Sequence, residues 1–468
     1  MNTYLPEITP SPIIEKIKCS YSMEELFYSL KDLPHVSFLN SSLETDIARY
    51  SFIAINPFIV ITSKGNSVKL QIAKHNLAIK DDPFKTLKAI INNYQVKCTG
   101  SFPFIAGGIG YFSYDLKDLL EKLPQKAKNE LKLPDLYFAF YQTLLIRDNL
   151  DPDNLYLSVL NIKSKKYDRP NILIKKIKKR INSCSLAKNI LISKNTRPLF
   201  ESNFSRSGFI NAIHKTLDYI HAGDIYQTCI AQRFKSKLSL PPADLYLKLN
   251  KINPAPFSAY LNPGPFSIIS SSPELFLRAK DNTVETRPMK GTRPRGKNPK
   301  EDKILENELK KSRKEKAELS MIVDLERNDL GKLALPGSVK VAEHRRIEKY
   351  STVFQAISIV KAEMEHNIDL VDIIKSAFPG GSITGCPKIR AMEIIDELEK
   401  IKRGIYTGSI GYISFHNTMD LNIAIRTIIT KSNLASFHVG SGIVADSNPE
   451  SEYNETLDKA RALMESLE

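Results

Sequence analysis

Tryptophan is absent from this 468-residue chain, and cysteine is scarce. The five cysteines, Cys19, Cys98, Cys184, Cys229 and Cys386, stand far apart, with no Cys-x-x-Cys pair and no histidine at ligand spacing. That scatter excludes a zinc ribbon or a disulfide framework and reads as reduced thiols. No run of about 18 apolar residues occurs, so no transmembrane helix is expected. Residues 1–12 have neither a basic start nor an apolar stretch, which argues against a secretory signal and for the cytoplasm. Phosphate-binding glycine patterns are missing too. Neither G-x-x-x-x-G-K with a following Ser or Thr nor a strand-linked G-x-G-x-x-G is present, so ATP and NAD are not indicated.

Charge of one sign is in excess. The net charge is +15, and residues 163–180 carry much of it, including Lys175, Lys176, Lys178, Lys179 and Arg180. Ile174, Ile177 and Ile181 recur there at helical spacing, so the stretch reads as an amphipathic helix with a solvated basic face. No aromatic residues interleave with these lysines as stacking platforms, and no nucleic-acid partner is expected.

An apolar share of 42% is enough for a large core. Residues 1–185 mix strand-like runs (52–62, 137–145, 155–160) with helical patterns and form an N-terminal region. Residues 186–201 carry little periodicity and read as a connector. Residues 202–468 form the candidate catalytic region. There the spacing predicts a helix from Phe209 to Gly223, strands over 266–271, 275–279 and 284–287, a helix through Ile389, Met392 and Ile395, and a last helix after Asn448-Pro449. Ser382 or Thr384 is the expected cap of the helix that follows Pro387. The irregular order of strands and helices argues against a doubly wound nucleotide fold.

Four constellations carry chemistry. Glu274 and Lys290 flank a hairpin turning at Asp281-Asn282. A three-residue loop, Asp281 to Thr283, sets Glu274 opposite Lys290, whereas a two-residue turn sets Met289 there. An acid and an amine together can divide a substitution, the deprotonated amine attacking carbon and the carboxyl protonating the departing oxygen. A surface ion pair is the plain alternative. Glu315 and Glu318, and likewise Glu452 and Glu455, lie three apart on helices. Either these are solvated faces, or the two pairs converge as oxygen ligands for Mg²⁺. Residues 380–390, from Gly380-Gly381-Ser382 to Lys388, form a glycine-rich loop at a helix start, suited to an anion or simply to a turn. Arg426 follows an apolar strand-like run and either meets a carboxylate or reaches solvent at a sheet edge.

Together these segments resemble the chorismate-binding family, which includes anthranilate, isochorismate, salicylate and aminodeoxychorismate synthases. The likeness runs unbroken from about Asn203 to Ala462. It is carried by Gly223-Asp224-Ile225-Tyr226-Gln227, Ser271-Ser272-Pro273-Glu274, Lys290-Gly291-Thr292-Arg293-Pro294-Arg295-Gly296, Glu318 through Asp329, Gly380 through Lys388, Ile425-Arg426-Thr427, Gly440-Ser441-Gly442-Ile443-Val444, and Glu452 to Glu455. Arg49-Tyr50-Ser51-Phe52-Ile53 resembles the family's early strand motif, near a site where some members bind tryptophan.

The resemblance implies an α+β fold of four layers, α/β/β/α, with two large antiparallel sheets packed face to face, helices outside, and the two regions intertwined in one body. It implies Glu274 as general acid at the C4 hydroxyl of chorismate, and Mg²⁺ on Glu318 and Glu455 with Glu315 and Glu452 nearby. Arg426, Tyr406 and the backbone around Gly440 would hold the substrate carboxylates, with further substrate contacts from Gln227, Thr292, Ser382 and Gly442. Lys290 sets the subfamily. Anthranilate synthases carry Ala there, whereas water-adding members carry Lys where Gln227 stands. The implied activity is amination of chorismate to 4-amino-4-deoxychorismate, on the route to p-aminobenzoate and folate, through a covalent bond to Lys290. No glutaminase-like cysteine is present, so ammonia is expected from a glutamine amidotransferase partner. Gln355 stands where the family usually has His, a residue tied to pyruvate elimination in anthranilate formation. The competing readings are an anthranilate synthase component and, in a different class, an inactive basic binding protein.

Overall fold

Two long strands, Tyr50–Lys64 and Leu136–Asp148, organise the fold because each runs through two sheets. Their mutual register shifts between Pro57 and Ile59, where proline withholds an N–H from the ladder. Before this bend, the sheet continues through Ser37–Asn40, Phe257–Leu261, Ser267–Ser272, Thr427–Lys431, Leu434–Ile443 and Gln227–Lys237. Beyond it, the second sheet runs through Gly107–Phe112, Ser409–Ser414, Met419–Asn422, Leu275–Lys280, Thr283–Arg287 and Val353–Glu363. These pairings are all antiparallel. Each sheet thus joins a block of strands from the first sequence region to a block from the second, at Ser37–Asn40 against Phe257–Leu261 in one and Gly107–Phe112 against Ser409–Ser414 in the other. The computed structural model describes residues 4–43, 45–97, 102–184, 198–350 and 353–468. Most of the expected connector (186–197) and Cys98 lie outside them.

Phe52 and Leu261 of one sheet share an apolar cluster with Phe140, Phe276 and Leu421 of the other. Helices close both outer faces. Met23–Leu30, Pro170–Asn182, Pro242–Ile252 and Pro449–Leu467 bury Phe27, Ile177, Leu249 and Leu463 against the first sheet. Arg313–Gly331 and Leu370–Ala377 bury Leu319 and Ile374 against the second. The architecture is the α+β arrangement expected. The basic helix is shorter than its charge suggested. It spans Pro170–Asn182, starts on Pro170, and buries Leu173, Ile174, Ile177 and Ile181.

Two local expectations are corrected. The hairpin turns on two residues, Asp281 (φ 50°) and Asn282 (φ 60°), the left-handed pair that matches strand twist. Lys280 therefore faces Thr283, Arg278 faces Glu285, and the register shifts again at Leu275 and Arg287. Glu274 is not the cross-strand partner of Lys290. Pro288 ends that strand, and Met289–Pro294 pairs with Val353–Glu363, placing Lys290 opposite Ala356. Neither Ser382 nor Thr384 caps the helix Lys388–Glu399. Pro387 occupies that position without a side-chain bond, because Ser382 lies in a tight turn, Gly381–Ile383, and its hydroxyl is used elsewhere.

Gly411 tests the strand pairing. A Cβ there would lie 1.9 Å from the Asp420 carbonyl oxygen. Gly411→Ala is expected to cost at least about 2 kcal/mol, read as a lower chemical-denaturation midpoint, and an unchanged midpoint would contradict this packing.

Candidate active site

Ser382 joins the acid and the amine that the hairpin register does not. Its hydroxyl donates to Glu274 Oε1 at 2.6 Å, and its carbonyl accepts from Lys290 Nζ at 3.0 Å. Glu274 is 5% exposed. Burial raises its pKa above the ordinary carboxyl value, only partly opposed by Ser382, Lys290 and the Met289 amide, so its proton is retained more readily than in water. Gly442, on the strand Leu434–Ile443, leaves room for this group. A Cβ there would stand 3.1 Å from Gln227 Nε2 and 3.4 Å from Lys290 Nζ. Gln227 is buried, and its Oε1 is a buried acceptor with no partner among the described residues.

The glutamates surround this core. Gly291, at φ 82°, brings the backbone beside Lys290 against Glu315, whose Cδ would be 3.2 Å from an added Cβ. Arg293 Nη1 donates to Glu315 Oε1 at 2.6 Å, and Glu315 Oε2 is buried without a partner among the described residues. Glu318 is pushed upward by burial and by the charges of Glu452 and Glu315, against the pull of Lys290 and Lys314. Ser441 and Ser447 donate to Glu452, the latter at 2.7 Å. Glu455 would be raised by burial, but Lys459, 2.6 Å away, holds it below the ordinary value. Among the described residues, no three acidic, His or Cys groups already converge as an ion's ligands. The donor set is nonetheless all oxygen, and it includes one buried oxygen with no partner, which suits a hard cation such as Mg²⁺.

The remaining expected residues lie on neighbouring elements. Tyr406 is buried and stacked on His438 with centroids 5.1 Å apart, and its hydroxyl would be 2.9 Å from a Cβ on Gly440. Gly440 is thus constrained to be small, while its carbonyl accepts from Lys459 at 3.0 Å. Arg426 is not inside a strand. It precedes Thr427–Lys431 at φ 50°, and its guanidinium touches Asn253 at 3.3 Å with no carboxylate partner among the described residues. Thr292 and Gln355 face each other across the adjoining strands.

Two groups fix the loop, Arg403, which sequence reasoning missed, and Lys388, which it placed only within the glycine-rich motif. Arg403 is buried against Glu399 and donates to the Ile383 carbonyl at 3.0 Å and the Cys229 carbonyl at 2.7 Å. Lys388 holds Asp329 at 2.5 Å and the carbonyls of Ala377 at 2.9 Å and Pro379 at 2.8 Å. Lys388 therefore braces the chain entering Gly380 instead of facing a ligand. The i, i+4 spacing of Glu399 and Arg403 was the one available signal, and it looks like an ordinary helical pair. A separate cavity of about 240 Å³, lined by Asn40, Ser41, Arg49, Pro256 and Met419 among others, sits near the early strand motif.

Residues 38–465 match the family described as chorismate binding enzyme. This chain belongs to that family. The chorismate-binding chain is 36% identical over 422 residues to aminodeoxychorismate synthase component 1 of Bacillus subtilis, covering 90% of this chain and 89% of the relative. It is also 36% identical over 451 residues to anthranilate synthase component 1 of Aquifex aeolicus, covering 95% and 91%. Among solved structures, anthranilate synthase component I from Streptococcus pneumoniae superposes with a TM-score of 0.79 at 31% identity, covering 90% of this chain and 93% of that one. The chain is thus an enzyme acting on chorismate. No helix among the described residues is long and apolar enough to cross a membrane.

Arg403→Ala leaves Glu399 buried without its cation. The expected loss is about 3–5 kcal/mol in chemical denaturation, and a loss under about 1 kcal/mol would show that the pair does not brace the loop.

Proposed function

We propose that this chain aminates chorismate at C4 to give 4-amino-4-deoxychorismate, with Lys290 as a covalent nucleophile and Glu274 as the proton donor. The observation that carries this reading is the shared anchor. An amine and a buried acid are both bonded to Ser382, beside an unpartnered amide oxygen on Gln227. A surface ion pair would have neither the burial nor the common partner.

In the first half of the reaction, the neutral Lys290 amine forms a bond to C2 of the ring, the double bond shifts, and the C4–O bond breaks. Glu274 gives its proton to that oxygen, which leaves as water. In the second half, ammonia forms a bond to C4, the double bond returns, and the C2–N bond to Lys290 breaks. A proton from the new ammonium restores Glu274. Gln227 Oε1 can accept an N–H from incoming ammonia, but an amide cannot deprotonate water, which suits amination over hydration.

Glu318 and Glu455, with Glu315 and Glu452 beside them, are the residues that would hold Mg²⁺. Bound there, the ion would supply positive charge to the ring carboxylate. Arg426, with no acidic partner among the described residues, is suited to bind a substrate carboxylate in bidentate fashion. Gln355 carries no titratable proton, which favours stopping at the amino compound over pyruvate elimination. The partner we infer is a glutamine amidotransferase, since relatives are named as component 1 of their synthases and this chain offers no glutaminase cysteine. The cytoplasm, on the folate route, is the corresponding location.

Anthranilate formation is the second reading, because relatives bearing that name are equally similar. Chorismate, Mg²⁺ and ammonium chloride incubated with the purified chain separate the two. The expected product is 4-amino-4-deoxychorismate, with Lys290→Ala lowering its rate at least about 10³-fold. Direct release of fluorescent anthranilate, indifferent to Lys290→Ala, would reject this proposal.

A further inference from the structure

Beside Glu274 lies a second buried acid that the reaction above does not use. Glu326, on the helix Arg313–Gly331, is 7% exposed, and Thr286 Oγ1 donates to its Oε2 at 2.5 Å. No cation bonds it. Lys388 is occupied by Asp329 and two carbonyls, and Lys332 also pairs with Asp329, at 2.9 Å.

The two acids are bracketed by the same pair of segments. On one side, Thr286 holds Glu326, while the amide of Met289, three residues on, favours the carboxylate of Glu274. On the other, Gly381 lies over Glu326, its Cβ position 3.7 Å from Glu326 Cγ, while the adjacent Ser382 holds Glu274. A Cβ at Gly381 would also meet Leu325 at 2.7 Å, so this close approach of loop and helix requires glycine. The charged groups acting on Glu326 are Glu274 and Asp329, which raise its pKa, and Lys388, which lowers it. Burial outweighs them all and pushes the carboxyl to about 8.

We propose that Glu326 is a positioning residue for the proton donor: Glu274 and Glu326 form one buried acid pair that shares a single proton at neutral pH, so that Glu274 can be found protonated when substrate binds. Two neighbouring buried carboxyls cannot both ionise cheaply, so losing the first proton strengthens the hold on the second. The pair titrates as a unit, and Glu326 acts only through Glu274. This rests on the reading of Glu274 as the acid.

Chorismate consumption measured between about pH 6 and 9 reads the pair without regard to which amino product forms. In Glu326→Gln, Glu274 titrates alone. The alkaline limb of kcat/KM should therefore move down by at least about one pH unit, with roughly a tenfold loss at pH 8 relative to pH 6. Thr286→Val removes a hydroxyl that favours the Glu326 carboxylate, so its limb should move up, and this variant serves if the first does not fold. A limb that stays in place in the folded variant overturns the proposal.

Melting temperatures test the pair without activity. Glu326 has a folded pKa above its unfolded value of 4.5, so its folded form must retain a proton that the unfolded chain releases. Stability is therefore lost progressively as pH rises from about 4.5 to about 8. The melting-temperature advantage of Glu326→Gln over the parent should grow across that window, and should grow less in a Glu274→Gln background. A pH-independent difference, or the same growth in both backgrounds, overturns the pair. A parent chain that consumes no chorismate would sink the proposed function instead, leaving the melting comparison to decide this one.

Discussion

The two bonds of Ser382 are the constraint on which the site depends. One residue presents a hydroxyl to a carboxyl and a carbonyl to an amine, so the acid and the nucleophile are positioned against each other through a third group. That device works only if the loop itself cannot move. Its flanks are clamped by cations, the half-buried Lys388 on the carbonyls before Gly380 and the buried Arg403 on the carbonyl after Ser382. Each cation has its own carboxylate, Asp329 or Glu399, which makes its burial tolerable. Precision at the reacting atoms is thus held by ion pairs outside the reaction, as preorganised sites generally require.

The same region concentrates negative charge. Glu274, Glu318 and Glu326 are all raised by burial, which the nearby cations Lys290, Lys314, Lys388 and Lys459 only partly oppose. A site arranged this way is destabilised when empty and gains when cation and substrate arrive, a pattern in which stability is exchanged for function. Glu315 Oε2 and Gln227 Oε1, both buried and without a partner among the described residues, mark where that exchange is most direct.

Much of the fold was legible in the chain. Helical periodicity located Arg206–His221, Lys388–Glu399 and Pro449–Leu467, because each buries one apolar stripe. The hairpin at Asp281-Asn282 was visible, but its loop length was not, since Asn and Asp tolerate several turn types, and one residue of difference changes every partner. Glu274 and Lys290 were recognisable from their motifs, yet their joining through Ser382 was not, because it depends on a loop 92 and 108 residues away in sequence. Ser382 itself read as a cap because a serine before a helix usually is one; here the stronger demand of a buried carboxyl takes its hydroxyl. Glu326 lay inside a recognised motif and Arg403 at i, i+4 spacing from Glu399, but neither could be told from an ordinary solvated charge until its burial was known.

The central claim is that the Lys290 amine becomes bonded to the ring. Mass spectrometry of the intact chain, quenched after mixing with chorismate and Mg²⁺ in the absence of ammonia, reads this directly. The account predicts a covalent increment equal to chorismate less one water, located on the peptide containing Lys290 and absent in Lys290→Ala. Chorismate turnover on adding ammonia, with no such adduct accumulating or trappable at any quench time, would contradict it.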